Sequence, residues 1–248
     1  ELVKRHRIAF HEKHKGQLFC DDSAEQIIAM LQSECGAGNV QWRMPCAVQA
    51  IERAAGTYVV ATSDGAVRAA SVVIATGGLT VPKIGATPLG YRIAEQFGLP
   101  VVAPKPALVP LTAPPEWLAQ FGKLSGASFD TIASCAEAPR GPEWPSFREA
   151  ALITHRGLSG PAILQVSSYW QFAGGRGPIV LDLLPGRDSG AWLAAHRRDS
   201  QGLGTLLAEF LPRRFAQSFA EAHGWTQPLA QLRLAHQHDL DQLLPVGL

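Results

Sequence analysis

The sequence predicts a mixed chain of α+β and α/β character: a sheet-edge segment ending in glycines, a β-rich middle and a helical final part. Three observations carry this. The run Ser71-Val72-Val73-Ile74-Ala75-Thr76-Gly77-Gly78 holds four apolar residues, three of them β-branched, and reads as a short strand buried on both faces. Its end in Thr-Gly-Gly removes side-chain bulk where an open α/β sheet presents a nucleotide at its carboxyl edge, although a tight turn after a core strand would look the same. Upstream, Cys46–Arg53, Thr57–Thr62 and Ala66–Ala70 alternate as three short strands separated by Ala-Ala-Gly and Ser-Asp-Gly turns. Beyond Asp188, Trp192, Leu193, Leu203, Leu206, Leu207, Phe210, Phe215, Phe219, Leu229, Leu232 and Leu234 recur at helical spacing, punctuated by glycine and proline.

The elements follow in order. Arg7–Lys13 and Gln17–Cys20 are short strand candidates. Ser23 reads as the N-cap of a helix, with Gln26 at the capping-box position and Ile27, Ile28, Met30 and Leu31 on its apolar face. Gly36 or Gly38 ends it, and Asn39–Met44 reads as a strand with Val40 and Trp42 on one face. After the meander and the Ser71–Thr76 strand, Leu79–Gly90 is an ordered loop rich in Gly, Pro and Thr. Tyr91–Phe97 is a short amphipathic helix closed by Gly98. Pro104, Pro106 and Pro110 favour an extended crossing rather than a central strand. The middle part has β-type segments at Ala107–Leu111, Ser128–Ala133, Ala150–Thr154 and Pro178–Leu184, which suggest a partial barrel. It also has one helix, with Ser159 as N-cap and Pro161 just inside.

One polar constellation stands apart. Thr154-His155-Arg156-Gly157-Leu158-Ser159-Gly160-Pro161 puts an imidazole, a guanidinium and a hydroxyl in a glycine-flanked turn before a helix. A helix N-terminus attracts anions, so His155, Arg156 and Ser159 are candidate substrate-binding residues for a carboxylate or a nucleotide phosphate. The plainer reading is that Ser159 caps the helix while His155 and Arg156 brace the turn.

Three blocks carry a resemblance. They are Lys15–Cys20 with the helix from Ser23, the run ATGGLTVPKIGATPLGYRIAEQFG followed by PKPALVPL, and FREAALITHRGLSGPAILQ from Phe147 to Gln165. In that order they resemble a family of bacterial FAD-binding proteins, the aminoacetone oxidase family FAD-binding enzymes or NAD(P)/FAD-dependent oxidoreductases. The resemblance implies a partial glutathione-reductase-like FAD domain (1–105), a β-rich, barrel-like insert (106–187) and a small helical domain (188–248). It implies FAD held non-covalently by Val48, Ala75, Thr76, Gly77, Gly78 and Pro82, and it leaves the use of NAD(P)H open. It also implies an oxidoreductase acting on a small-molecule substrate, with no catalytic base assignable. The chain departs from that family in lacking the Gly-x-Gly-x-x-Gly turn and the glycine-rich return, so the expectation is an internal piece of a larger cytoplasmic flavoprotein. Its partners would include the missing N- and C-terminal parts of the same polypeptide.

Composition bounds the alternatives. A formal net charge of +1 over 248 residues offers no electrostatic case for nucleic acid or an anionic membrane. No apolar run is long enough to span a bilayer. Cys20, Cys35, Cys46 and Cys135 form no C-x-x-C pair and read as separate reduced thiols. His11 and His14 would diverge on a strand, and His236 and His238 read as solvated, so no metal site is expected. Two other readings remain: a non-catalytic module that does not hold FAD alone, and an RNA-modifying flavoprotein, against which the near-neutral charge argues.

Overall fold

The computed structural model describes residues 1–13, 16–135, 145–172, 174–175, 177–231 and 245–246; His14, Leu232, Leu234, His236 and His238 lie outside them. The chain forms two compact units, Glu1–Val102 and Ala103–Leu248.

In the first unit, a one-turn helix α1 (Leu2–Arg5) precedes the antiparallel hairpin β1 (Phe10–Glu12) and β2 (Leu18–Cys20). Helix α2 (Glu25–Ala37) follows, but Ala24 occupies the N-cap, not Ser23. The Ser23 hydroxyl instead accepts from the Glu25 N–H at 3.1 Å, a local turn bond that competes with capping. The expected capping box is therefore absent, and Gln26 Oε1 is buried without a partner among the described residues. Asn39–Met44 is not a strand. Asn39 takes φ +55° and the Val40 N–H bonds back to Cys35 O, so the helix's closing motif consumes the start of that segment. Val40, Trp42 and Met44 are exposed.

The meander forms where the turns predict it: β3 (Val48–Ala54), β4 (Thr57–Thr62) and β5 (Gly65–Ala69) pair antiparallel in chain order. Ser71–Thr76 is irregular rather than a buried strand, and Val73 is 86% exposed. Burial on both faces needs ladder partners and covering elements, and no described strand pairs with this segment. Helix α3 (Leu89–Gln96) ends as expected, with Gly98 at φ +75° and Leu99 N–H bonding to Ala94 O.

The second unit is built on an antiparallel half-barrel sheet of six strands in the order β11-β10-β7-β8-β9-β6. The strands are β6 (Leu111–Thr112), β7 (Ser128–Cys135), β8 (Phe147–Thr154), β9 (Gly157–Ser159), β10 (Ile179–Asp182) and β11 (Pro245–Val246). Only Leu111 of the predicted Ala107–Leu111 segment joins the sheet. The Leu108 and Val109 N–H groups donate instead to the hydroxyls of Ser168 and Ser167. Phe129, Thr131 and Ala133 alternate inward on β7, Ala151 and Ile153 on β8, and Ile179 and Leu181 on β10. The Thr131 hydroxyl, fully buried, donates to Asp182 O at 2.7 Å, so the one polar inward residue of β7 is satisfied.

Helix α4 (Pro115–Phe121) leads into β7, and α5 (Pro161–Phe172) covers the sheet with Ala162, Ile163 and Val166 wholly buried. Pro161 stands at the first helical position, yet Ser159 is not the N-cap: it ends β9, opposite Leu152. Gly160 accepts the first helical bond, from the Leu164 N–H at 2.9 Å. It takes φ +92°, and a Cβ there would lie 2.7 Å from Ala150 O, so both the backbone angle and the close approach require glycine.

Helices α6 (Ser189–His196), α7 (Leu203–Leu207) and α8 (Arg213–Ala222) make up the helical part. The Asp188 carboxylate caps α6 by accepting from the Ala191 N–H. Phe215 of α8 stacks on Phe129 of β7 at 4.7 Å between centroids, tying helices and sheet into one core. No helix among the described residues is long and apolar enough to cross a membrane.

Candidate functional site

In the first unit, the segment after β5 runs past the first turn of α3. A Cβ on Gly90 would stand 3.0 Å from Thr76 Oγ1 and 3.4 Å from Ile74 Cγ2, so glycine at that position permits the approach. Gly78 faces Tyr91, whose hydroxyl would be 3.6 Å from an added Cβ. Gly77 has φ +68° with open space on its Cβ side, and Ala75, Thr76, Gly77, Gly78 and Pro82 are all exposed. Pro82 begins a single 3-10 turn, Pro82–Ile84. The Thr76–Gly78 backbone is exposed and the Cβ side of Gly77 is open, which fits a flat group lying against it.

Val48 opens β3 beside a register shift and is 39% exposed. It lines a cleft of ≈ 340 Å³ with Ile51, Leu89, Arg92, Ile93 and Gln96. Val48 and Thr76–Gly78 therefore reach the same helix, α3, from β3 and from the loop. Sequence reasoning missed Arg92 and Gln96. The signal was the helical spacing of 89, 92, 93 and 96, which puts one cation among apolar neighbours. Gln96 Nε2 donates to Ile51 O at 2.6 Å and fastens α3 to the meander. Arg92 supplies a guanidinium suited to a phosphate.

In the second unit, His155 and Arg156 form the exposed two-residue tip of the β8–β9 hairpin. Thr154 Oγ1 accepts from the Arg156 N–H and donates to Gly157 O, and the Ala113 N–H bonds to Arg156 O. These bonds shape the tip and join it to the edge strand β6. Ser159 lies two residues beyond Gly157, in the strand that leads to α5, so the tip and the helix start are separated by β9.

A second cavity, ≈ 260 Å³, lies between β10 and the helices, lined chiefly by leucines with Asp182 and Arg187 at polar positions. The Arg187 guanidinium sits 4.1 Å from the Phe210 ring centroid. The four cysteines are free thiols, and burial pushes the Cys135 thiol above its ordinary pKa, so it is no activated nucleophile. A hydrogen bond from His6, aided by the charges of Arg5 and His6, holds the Glu34 carboxyl below its ordinary value, on the surface near α1. Among the described residues no three His, Cys, Asp or Glu side chains converge as metal ligands.

A half-barrel sheet joined through one core to short helices defines a barrel-plus-helical-domain protein. The family model of the HI0933-like protein barrel and H2TH domain matches residues 105–245, more than half of the chain, and the chain belongs to that family. Two relatives carry the name ribosomal RNA dihydrouridine synthase. The Escherichia coli (strain K12) protein is 43% identical over 220 residues, 88% of this chain and 52% of its own length. The Haemophilus influenzae protein is 38% identical over 228 residues, 89% of this chain and 54% of its own length. The chain thus spans about half the length of these curated relatives.

These findings correct three expectations. The resemblance to the aminoacetone oxidase family gives way to the HI0933-like family. The small-molecule oxidoreductase reading gives way to relatives named for acting on ribosomal RNA. The exclusion of nucleic acid falls with it, because a whole-chain net charge averages away any local basic surface.

Proposed function

We propose that this chain is part of a flavin-dependent enzyme that reduces uridine in ribosomal RNA to dihydrouridine. The observation that carries the reading is 43% identity, over 88% of this chain, to a protein named ribosomal RNA dihydrouridine synthase. Dihydrouridine is uridine whose C5=C6 bond has gained two hydrogens; reduced FAD would supply one of them as hydride and a proton the other, after which the oxidised flavin would be reduced again by an external two-electron donor.

The open Thr76–Gly78 backbone, with Ala75 and Pro82, would lie along the cofactor. Val48 would meet the adenine end, and Arg92 would balance phosphate charge. This assigns cofactor contact to 1–105, part of a glutathione-reductase-like domain. Residues 106–187 and 188–248, the barrel-like and helical parts, would contact the RNA. His155 and Arg156 project from an exposed tip and would contact substrate phosphates, with Ser159 in the strand behind them. No residue of the cleft argues for NAD(P)H. A ribosomal RNA substrate implies a cytoplasmic site of action.

The reading is tested by filter binding of the chain to a ribosomal RNA transcript. Retention at low salt that falls as salt rises is the expected result, with a slope set by the number of phosphates contacted. Absence of retention even at low salt refutes it.

A further inference from the structure

We propose that the Tyr91 hydroxyl donates a hydrogen bond to the flat ring of the bound cofactor, an assignment that rests on the flavin-dependent reading. Tyr91 stands in the first turn of α3, between Gly90 and Arg92. Its hydroxyl lies beside Gly78, where a Cβ would come within 3.6 Å of the oxygen. The hydroxyl and the Gly78 backbone therefore border one small space, with no side chain of residue 78 between them. Gly77, the next residue back, has open space on its Cβ side. Tyr91 is half-buried, whereas Thr76, Gly77 and Gly78 are exposed. Among the described residues the Tyr91 hydroxyl has no hydrogen-bond partner and its ring no aromatic neighbour. A phenol both donates and accepts, so a tyrosine with its body packed and its tip free offers that tip to a group lying alongside.

The adjacent residue shows how the two sides of α3 divide the work. One helical step turns the side-chain direction by about 100°. Arg92 accordingly lines the cleft with Val48, while Tyr91 turns to Gly78. The helix thus offers a guanidinium on one side and a neutral hydroxyl on the other. FAD carries matching groups: a pyrophosphate for the guanidinium, and a ring whose carbonyls and nitrogens accept hydrogen bonds. The Gly77–Gly78 backbone, free of side chains, suits the ring, and Arg92 carries the charge that a phosphate needs.

The test titrates the 248-residue chain with FAD, followed by flavin fluorescence, and separately with ADP, followed by calorimetry. Tyr91→Phe keeps the ring and removes only the hydroxyl. It should weaken FAD binding by about tenfold, leave ADP binding unchanged and shift the visible absorbance band of the bound flavin. Gly78→Ala is the second variant. Gly78 is not at positive φ and an added Cβ clears the Tyr91 oxygen, so the thermal midpoint without ligand should hold. Its methyl would stand between the hydroxyl and the cofactor, and FAD binding should fall at least as far. FAD affinity and band position unchanged in Tyr91→Phe overturn the proposal and leave the flavin reading standing. Equal weakening of FAD and ADP in Tyr91→Phe puts the hydroxyl at the phosphate end and overturns the assignment to the ring. A wild-type chain that takes up no FAD overturns the cofactor reading and the proposal together, while retention of ribosomal RNA on the filter tests the RNA reading by itself.

Discussion

Gly157→Ala should destabilise the second unit by about 3–5 kcal/mol, enough to leave much of it unfolded. The residue holds φ +143°, and an added Cβ would lie 2.3 Å from Leu111 O and 2.7 Å from the Ala113 N. Both atoms are backbone, so nothing yields without parting β6 from β9, the pair that places Leu111 opposite Leu158 and Thr112 opposite Gly157. The control is Gly56→Ala at φ +80° in the β3–β4 turn, with no atom within 4 Å of its added Cβ. Only backbone strain acts there, so its loss should be about 1–2 kcal/mol. Urea unfolding followed by tryptophan fluorescence measures both. Equal losses would mean that the close approach of β6 does not matter.

Ile163→Ala should cost about 2–5 kcal/mol. Ile163 is 0% exposed on α5, in the core formed with β7 and β8, and neighbours packed from both sheet and helix cannot collapse into the space it leaves. Ile28→Ala on α2, at a 57% exposed site, should stay within about 0.5 kcal/mol. The midpoint of thermal unfolding checks both. A small effect at Ile163 would show that α5 does not pack on the sheet as described.

The parts legible in the sequence are those that local chemistry dictates. The meander could be read because Ala-Ala-Gly and Ser-Asp-Gly force tight reversals between short alternating strands. The end of α3 could be read because Gly98 alone meets the left-handed position cheaply, and α5 because Pro161 fits a first turn.

What failed depends on distant partners. Val72-Val73-Ile74 has the composition of a buried strand, but composition cannot supply the neighbours that make one. Ser159 suits an N-cap, but β9 claims it for a ladder with Leu152 and leaves the cap to Gly160. Of the residues beside α3, Thr76 and Gly78 were singled out in the sequence for their small size. Arg92 was passed over because its place in the cleft depends on β3 lying across from α3. RNA was discounted on net charge, a sum over 248 residues that carries no information about where the charges stand.

The central claim is best tested by exchange. In an Escherichia coli strain lacking the 43% identical relative, the matching stretch of that relative is replaced by this chain, and dihydrouridine in ribosomal RNA is measured by nucleoside mass spectrometry. The account predicts that uridine bearing two added hydrogens returns to the ribosomal RNA. A soluble, flavin-loaded chimera that leaves every ribosomal RNA uridine unreduced would contradict it.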